Sequence, residues 1–195
     1  MDNKNNKQKV FFSITKEAFE WLEVVISAML AVVIIFTFVF RVATIVGDSM
    51  KNTFYENEKI IITDWFYTPK AGDVVVISRN AKNEYLSKND EGPIIKRIIA
   101  VEGQTVDIDF EKGIVYVDGK ALEEPYTRTS TNLQYDVQFP VRVPDNHIFC
   151  LGDNRNESLD SRSTKIGNGG MIDERYILGK AVFRVFPFER FGGID

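Results

Sequence analysis

From Val24 to Phe40 the chain carries no charged residue, and its apolar side chains, VVISAMLAVVIIFTFVF, leave no polar stripe on the helix that such a run predicts. At 1.5 Å per residue these 17 residues reach roughly 25 Å, the lower end of a bilayer crossing, and Arg41 can lengthen the span by snorkelling. Phe36, Phe38 and Phe40 cluster at its far end, where a buried core helix would show a polar face instead. A single transmembrane helix over residues 21–42 follows. Residues 1–20 read as a cytoplasmic tail, polar and disordered over the first ten, leading into an interfacial segment from Lys16 with Trp21 at headgroup depth. Lys4, Lys7, Lys9 and Lys16 precede the span, whereas Arg41 and Lys51 are the cations within about 15 residues after it, which places the N terminus in the cytoplasm and the rest outside a plasma membrane. Arg41-Val42-Ala43-Thr44-Ile45 offers no small-x-small cleavage site at the edge of the run, so the anchor is expected to be retained.

Beyond the span the period changes to that of strands. Lys59–Thr63, Asp73–Ser78, Ile94–Val101, Thr105–Phe110 and Val143–Leu151 predict short strands, and Ile114–Lys120 carries the Asp118-Gly119 signal of a tight hairpin. Ile177–Phe188 returns to alternation and is expected to close the sheet. Asn80–Gly92 and Thr127–Gln138 are polar and read as surface loops that need no function. The fold class is therefore mostly β: one transmembrane helix, then a compact β-sheet or barrel-like domain over residues 43–195.

Composition narrows the chemistry. At 195 residues the chain has room for one anchor and one core, and a net charge of -4 argues against a nucleic-acid partner. With one cysteine, Cys150, there is no internal disulfide or thiolate cluster; with one histidine, His147, there is no site built on two imidazoles. No metal or other cofactor is expected.

Nine residues after Phe40 stands Ser49, a candidate nucleophile in the turn Gly47-Asp48-Ser49-Met50. A serine hydroxyl needs a base. His147 sits at a strand start after Pro144 and reads as an edge residue. Lys96, by contrast, lies within Ile94-Ile95-Lys96-Arg97-Ile98-Ile99, where alternation sets it beside Ile94 and Ile98 and turns Arg97 to the other face with Ile95 and Ile99. Burial among aliphatic groups disfavours an ammonium and can lower a lysine pKa by roughly three to five units, enough to free the amine as a base; snorkelling or pairing with a carboxylate is the competing reading. After Leu151 the chain turns abruptly polar, Gly152-Asp153-Asn154-Arg155-Asn156-Glu157-Ser158-Leu159-Asp160-Ser161-Arg162, more than a plain connection requires.

Four blocks resemble the bacterial type I signal peptidases of the Ser-Lys class, and the Gram-positive branch in particular: GDSM with Thr53 following, Gly72-Asp73-Val74-Val75, Lys96-Arg97-Ile98-Ile99, and GDNRNESLDSR. The Asp118-Gly119 hairpin and Gly179–Arg184 look similar too. The resemblance implies Ser49 as nucleophile and Lys96 as general base, acting on secretory preproteins at a small-x-small site beside the lipid bilayer. It implies Ser158 as the group that orients the amine, and Asp153, Arg155, Asp160 and Arg162, with Arg97, as the scaffold of the wall. It also reduces the long second domain of some members to residues 107–140. Asn52-Thr53-Phe54 departs from the usual Pro-Thr-Leu, Gly47 stands where some members have a serine oxyanion donor, and Glu102-Gly103-Gln104 replaces Pro-Gly-Asp.

An extended substrate would add as a strand, with Ile45, Met50 and Ile95, which flank the two catalytic residues, as pocket walls. A self-cleaving Ser-Lys repressor would need a DNA-binding domain where the span lies. A sortase-like Cys150/His147 pair would point to opposite faces of one strand. An inactive membrane-anchored binder that keeps the fold is the rival from a different class.

Overall fold

The computed structural model describes residues 2–78 and 92–194; the loop expected at Asn80–Gly92 falls almost wholly outside them. The chain divides into two units, Met1–Arg41 and Val42–Asp195.

The first unit is one helix, α1 (Asp2–Phe38). It begins well before the span and includes the tail expected to be disordered. No proline or glycine interrupts residues 2–38, and Lys, Gln and Glu are good helix formers, so nothing in the tail stops the helix from running back to Asp2. Lys16–Thr37, 22 residues, is long and apolar enough to cross a membrane, and its side chains are exposed.

The second unit is built from two sheets. The strands of the larger are β1 (Arg41–Thr44), β2 (Lys59–Thr63), β3 (Val74–Ile77), β4 (Ile94–Val101), β9 (His147–Leu151), β10 (Ile172–Asp173), β11 (Ile177–Phe186) and β12 (Gly192–Gly193). Those of the smaller are β5 (Thr105–Asp109), β6 (Ile114–Val117), β7 (Lys120–Ala121) and β8 (Val141–Arg142). The large sheet runs β1-β2-β11-β3-β4-β9-β10, with β12 added against β11; the small one runs β7-β6-β5-β8. Every pairing whose register is resolved is antiparallel.

Alternation located the strand at Ile177, but β11 does not close an edge. It lies in the middle, between β2 and β3. Its register shifts at Ala181/Phe183 and Arg184/Phe186 against β2 and at Ile177/Gly179 against β3, and such irregularities bend a strand and curl a sheet. The Asp118-Gly119 turn joins β6 to β7 with both residues at positive φ, 50° and 75°, as the sequence pair predicts.

β4 is the spine of the core, buried on both faces from Ile95 to Ala100. Ile95 packs with Ile45, Met50, Phe54, Ile60, Val74 and Val76; Ile98 packs with Val75, Ile148 and Cys150; Ile99 joins Val106, Val115 and Phe149, the cluster shared by the two sheets. Thr127–Gln138 is not a passive surface loop: Thr131 and Val137 are buried, and the segment contacts the polar block after β9, as described next.

Candidate active site

Ser49 stands on the turn after β1. The turn is tied to the chain on either side: Ile45 N–H donates to Glu58 O (2.8 Å), Lys51 N–H to Asp48 O (3.1 Å) and Phe54 N–H to Met50 O (2.8 Å). Ile45, Met50 and Phe54 sink into the core, which leaves Val46, Gly47 and Asp48 exposed and Ser49 half-buried between. Gly47 has φ +82°, a conformation that disfavours a side chain although there is open space for one.

Lys96 reaches the same point from β4. Its Nζ donates to Ser49 Oγ at 2.8 Å and to Ile95 O at 3.0 Å, and the residue is only 3% exposed. Residues 47 positions apart are thus brought within hydrogen-bond reach, inside the 2.6–3.2 Å range of a nucleophile and its base.

The polar block after β9 forms the wall behind them. Asp153, fully buried, takes a bidentate pair from Arg97, Nε to Oδ1 at 3.0 Å and Nη2 to Oδ2 at 2.9 Å, and the Thr53 hydroxyl also donates to Oδ2. Arg97 Nη1 donates to Gly72 O (2.8 Å), which explains why the Gly72-Asp73 block belongs to the site. Asp160 pairs with Arg162 through Nε at 2.8 Å and Nη2 at 2.9 Å, and its Oδ2 accepts Gly152 N–H at 3.1 Å. Arg162 also donates to Leu133 O (2.8 Å), Arg155 O and Ser158 O. Desolvated charges of this kind persist only when paired and fully hydrogen-bonded, and here they are.

Several partners carried no signal in the sequence. Arg155 donates to Gly152 O within its own block (Nε, 3.1 Å), but its charge is met from outside it, by Glu124 (Nη1 to Oε2, 2.9 Å), with Thr131 Oγ1 as a further acceptor (2.7 Å). Burial alone would pull the Arg155 guanidinium down, but the Glu124 carboxylate holds it above its ordinary value. Tyr126 lies under Arg97, 3.9 Å from ring centroid to Cζ. Arg128 N–H donates to Asp153 O (3.0 Å), and Tyr135 OH to Ser158 O (3.1 Å). Asn154 holds the nucleophile turn directly, through its N–H to Ser49 O (2.9 Å) and its Nδ2 to Asp48 O (3.1 Å). Glu124 is indistinguishable in sequence from Glu123 beside it, and the contact of Asn154 is with a backbone that no residue pattern encodes.

Ser158 Oγ is buried and has no hydrogen-bond partner among the described residues, so the expected hydrogen bond to Lys96 is not made in this conformation. The hydroxyl is nevertheless adjacent to the turn: a Cβ on Gly152 would fall 2.2 Å from Ser158 Oγ and 2.5 Å from Ser49 O, so Gly152 is the spacer between them. Ile45, Met50 and Ile95 are 2%, 1% and 8% exposed and lie in one core cluster. Cys150 is fully buried, and desolvation pushes its thiol well up; His147 is half-buried, its Nδ1 2.7 Å from Asp145 O. No cluster of three or more His, Cys, Asp or Glu able to hold a metal occurs among the described residues.

Residues 18–186 match the model of the family Signal peptidase, peptidase S26, and the chain belongs to that family. It is similar to signal peptidase I of Bacillus licheniformis, 30% identical over 188 residues, covering 91% of this chain and 93% of that protein. Signal peptidase I S of Bacillus subtilis strain 168 is 30% identical over 185 residues, 89% of this chain and 91% of its own. The protein of Synechocystis sp. named "Probable signal peptidase I-1" is 36% identical over 149 residues, 75% of this chain and 71% of its own. The chain is accordingly a type I signal peptidase, a serine peptidase that removes signal peptides.

Proposed function

We propose that the chain is a membrane-anchored endopeptidase that cleaves secretory preproteins after a small-x-small site, with Ser49 as nucleophile and Lys96 as general base. The observation that carries this reading is the 2.8 Å contact between Ser49 Oγ and a Lys96 Nζ buried in β4. Desolvation works against the ammonium, and a neutral amine reverses the contact: the serine hydroxyl then donates to the Nζ lone pair.

Lys96 takes the Ser49 proton as Oγ attacks the carbonyl carbon of the scissile bond. The oxyanion that forms is met by the Ser49 N–H, which donates to no group among the described residues. The Lys96 ammonium returns its proton to the leaving amine, leaving an ester on Ser49. Water, deprotonated by the same amine, attacks that ester and releases the signal peptide with a free carboxylate, the mature protein having left as the amine. Neither metal nor cofactor enters these steps.

In this reading Ser158 orients the amine, its hydroxyl having no competing partner among the described residues. The Arg97–Asp153 and Arg162–Asp160 pairs and the Arg155–Glu124 pair keep the wall rigid. The substrate lies extended as an added strand. Ile45, Met50 and Ile95, which flank Ser49 and Lys96 in sequence and share one core cluster, wall the pockets. α1 crosses the plasma membrane with its N terminus in the cytoplasm, on the argument from lysine placement, and the second unit works outside.

The test is cleavage of a preprotein by the detergent-solubilised full chain. Ser49→Ala and Lys96→Ala should each abolish turnover, and the wild-type rate should rise with pH, because the active form of the base is the deprotonated one. Retained cleavage by either variant sinks the assignment; a folded wild-type protein that binds the preprotein without turnover marks a binder instead.

A further inference from the structure

The turn after Ser49 is also gripped from the C-terminal side of the domain. Residues 51–53 lie outside any strand, so their carbonyls need partners from elsewhere. Two arginines supply them. Arg184, on β11, donates from Nη2 to Thr53 O at 2.6 Å. Arg190, just beyond that strand, donates from its own Nη2 to Thr53 O at 3.2 Å and to Asn52 O at 3.4 Å.

Two guanidinium groups on one carbonyl would repel each other, and Glu58 relieves this. It is 3% exposed, its Oε2 lies 2.9 Å from Arg184 Nε, and its Oε1 accepts from Arg190 Nη1. The rings of Phe54 and Tyr55 lie under the two guanidinium groups, at 5.2 Å and 4.6 Å. The planar fork of arginine suits such a site, since one edge can hold a carboxylate while another meets a carbonyl.

Thr53 is thereby fixed at both ends. Its carbonyl is held by Arg184 and Arg190, and its hydroxyl donates to Asp153, which is the partner of Arg97. Arg97 is the neighbour of Lys96 on β4, and Lys96 meets Ser49. The contacts close a circuit from the nucleophile through Thr53, Asp153 and the base strand back to the nucleophile.

We propose that Arg184 and Arg190, bridged by Glu58, are positioning residues that set the separation of Ser49 Oγ and Lys96 Nζ. The proposal rests on the Ser49–Lys96 reading above. Arg190 is the better probe, because its side chain is 33% exposed and its loss opens no hole in the core. Full-length Arg190→Gln and Arg190→Lys enzymes are compared with wild type in detergent for kcat, KM, the pH–rate profile and thermal unfolding, with rates expressed per folded molecule.

Arg190→Gln is expected to lower kcat by about tenfold to a hundredfold, the scale of a small misplacement of reacting groups, with KM within about twofold. Arg190→Lys should recover part of the loss, and the midpoint of the pH–rate profile should move in the Gln variant. A kcat per folded molecule equal to wild type, or a loss identical in both variants with an unmoved pH midpoint, overturns the proposal. If wild type itself fails to cleave, the Ser49–Lys96 reading has failed and not the clamp.

Discussion

Gly152 is where the site is most sensitive to a single carbon atom. A Cβ there would lie 2.5 Å from Ser49 O and 2.5 Å from Ser158 Cβ, closer than any real contact. Backbone on one side and a buried side chain on the other cannot both yield. Gly152→Ala should therefore push the Ser49 turn away from Lys96 and cost about 1–3 kcal/mol of stability as overpacking. Preprotein cleavage should fall by about a hundredfold in the fraction that folds; unchanged turnover would mean that the turn tolerates the shift. At this scale much was legible. Ser49 and Lys96 stood out because a hydroxyl on an exposed turn and an amine inside an aliphatic strand are chemically unusual, and the structure puts them 2.8 Å apart. Asn154 and the Arg184–Arg190 clamp were invisible, since what they hold is backbone carbonyl, and any residue offers one.

Among elements, the segment between β7 and β8 departs furthest from what its sequence suggests. The polarity of Thr127–Gln138 suggested a solvated loop, yet Thr131 and Tyr135, like Glu124 and Tyr126 just before that stretch, face buried arginines or the backbone of the wall. The small sheet thus carries a strap that packs against the catalytic wall. Glu124→Ala would leave the Arg155 guanidinium, 0% exposed at its side chain, without its carboxylate, and should destabilise the domain by about 3–5 kcal/mol in denaturant titration. A change under about 1 kcal/mol would show that the pair is dispensable. Polar residues that satisfy buried charge look the same in sequence as polar residues facing water, which is why the strap was missed. The strands themselves were readable from period two, but neighbours in a sheet are not: alternation found β11 and could not say that it would sit between β2 and β3.

For the whole molecule, the division into a helix and a β unit was written in the change of hydrophobic period near residue 41. The backward extent of the helix was not, because low hydrophobicity in residues 1–10 says nothing against helix when neither proline nor glycine is present. If Lys16–Thr37 is the anchor, aspartates near its middle should expel it: Ile26→Asp with Leu30→Asp adds about 2.5–3.5 kcal/mol for each charge at the bilayer centre. Wild type should stay in the membrane pellet through carbonate extraction and the double variant should move to the supernatant; equal retention would mean that another part of the chain holds it. The central place of β11 has a consequence in time. β2 and β3 are not neighbours, and each keeps a row of unpaired backbone groups until residues 177–186 arrive between them. Arg184 and Arg190, which grip the carbonyl of Thr53, arrive with that same stretch. A nascent chain that has not yet reached residues 177–190 therefore lacks both the strand between β2 and β3 and the arginine contacts to Thr53. The order of synthesis thus leaves the centre of the large sheet, and with it the hold on the Thr53 carbonyl, to be completed last.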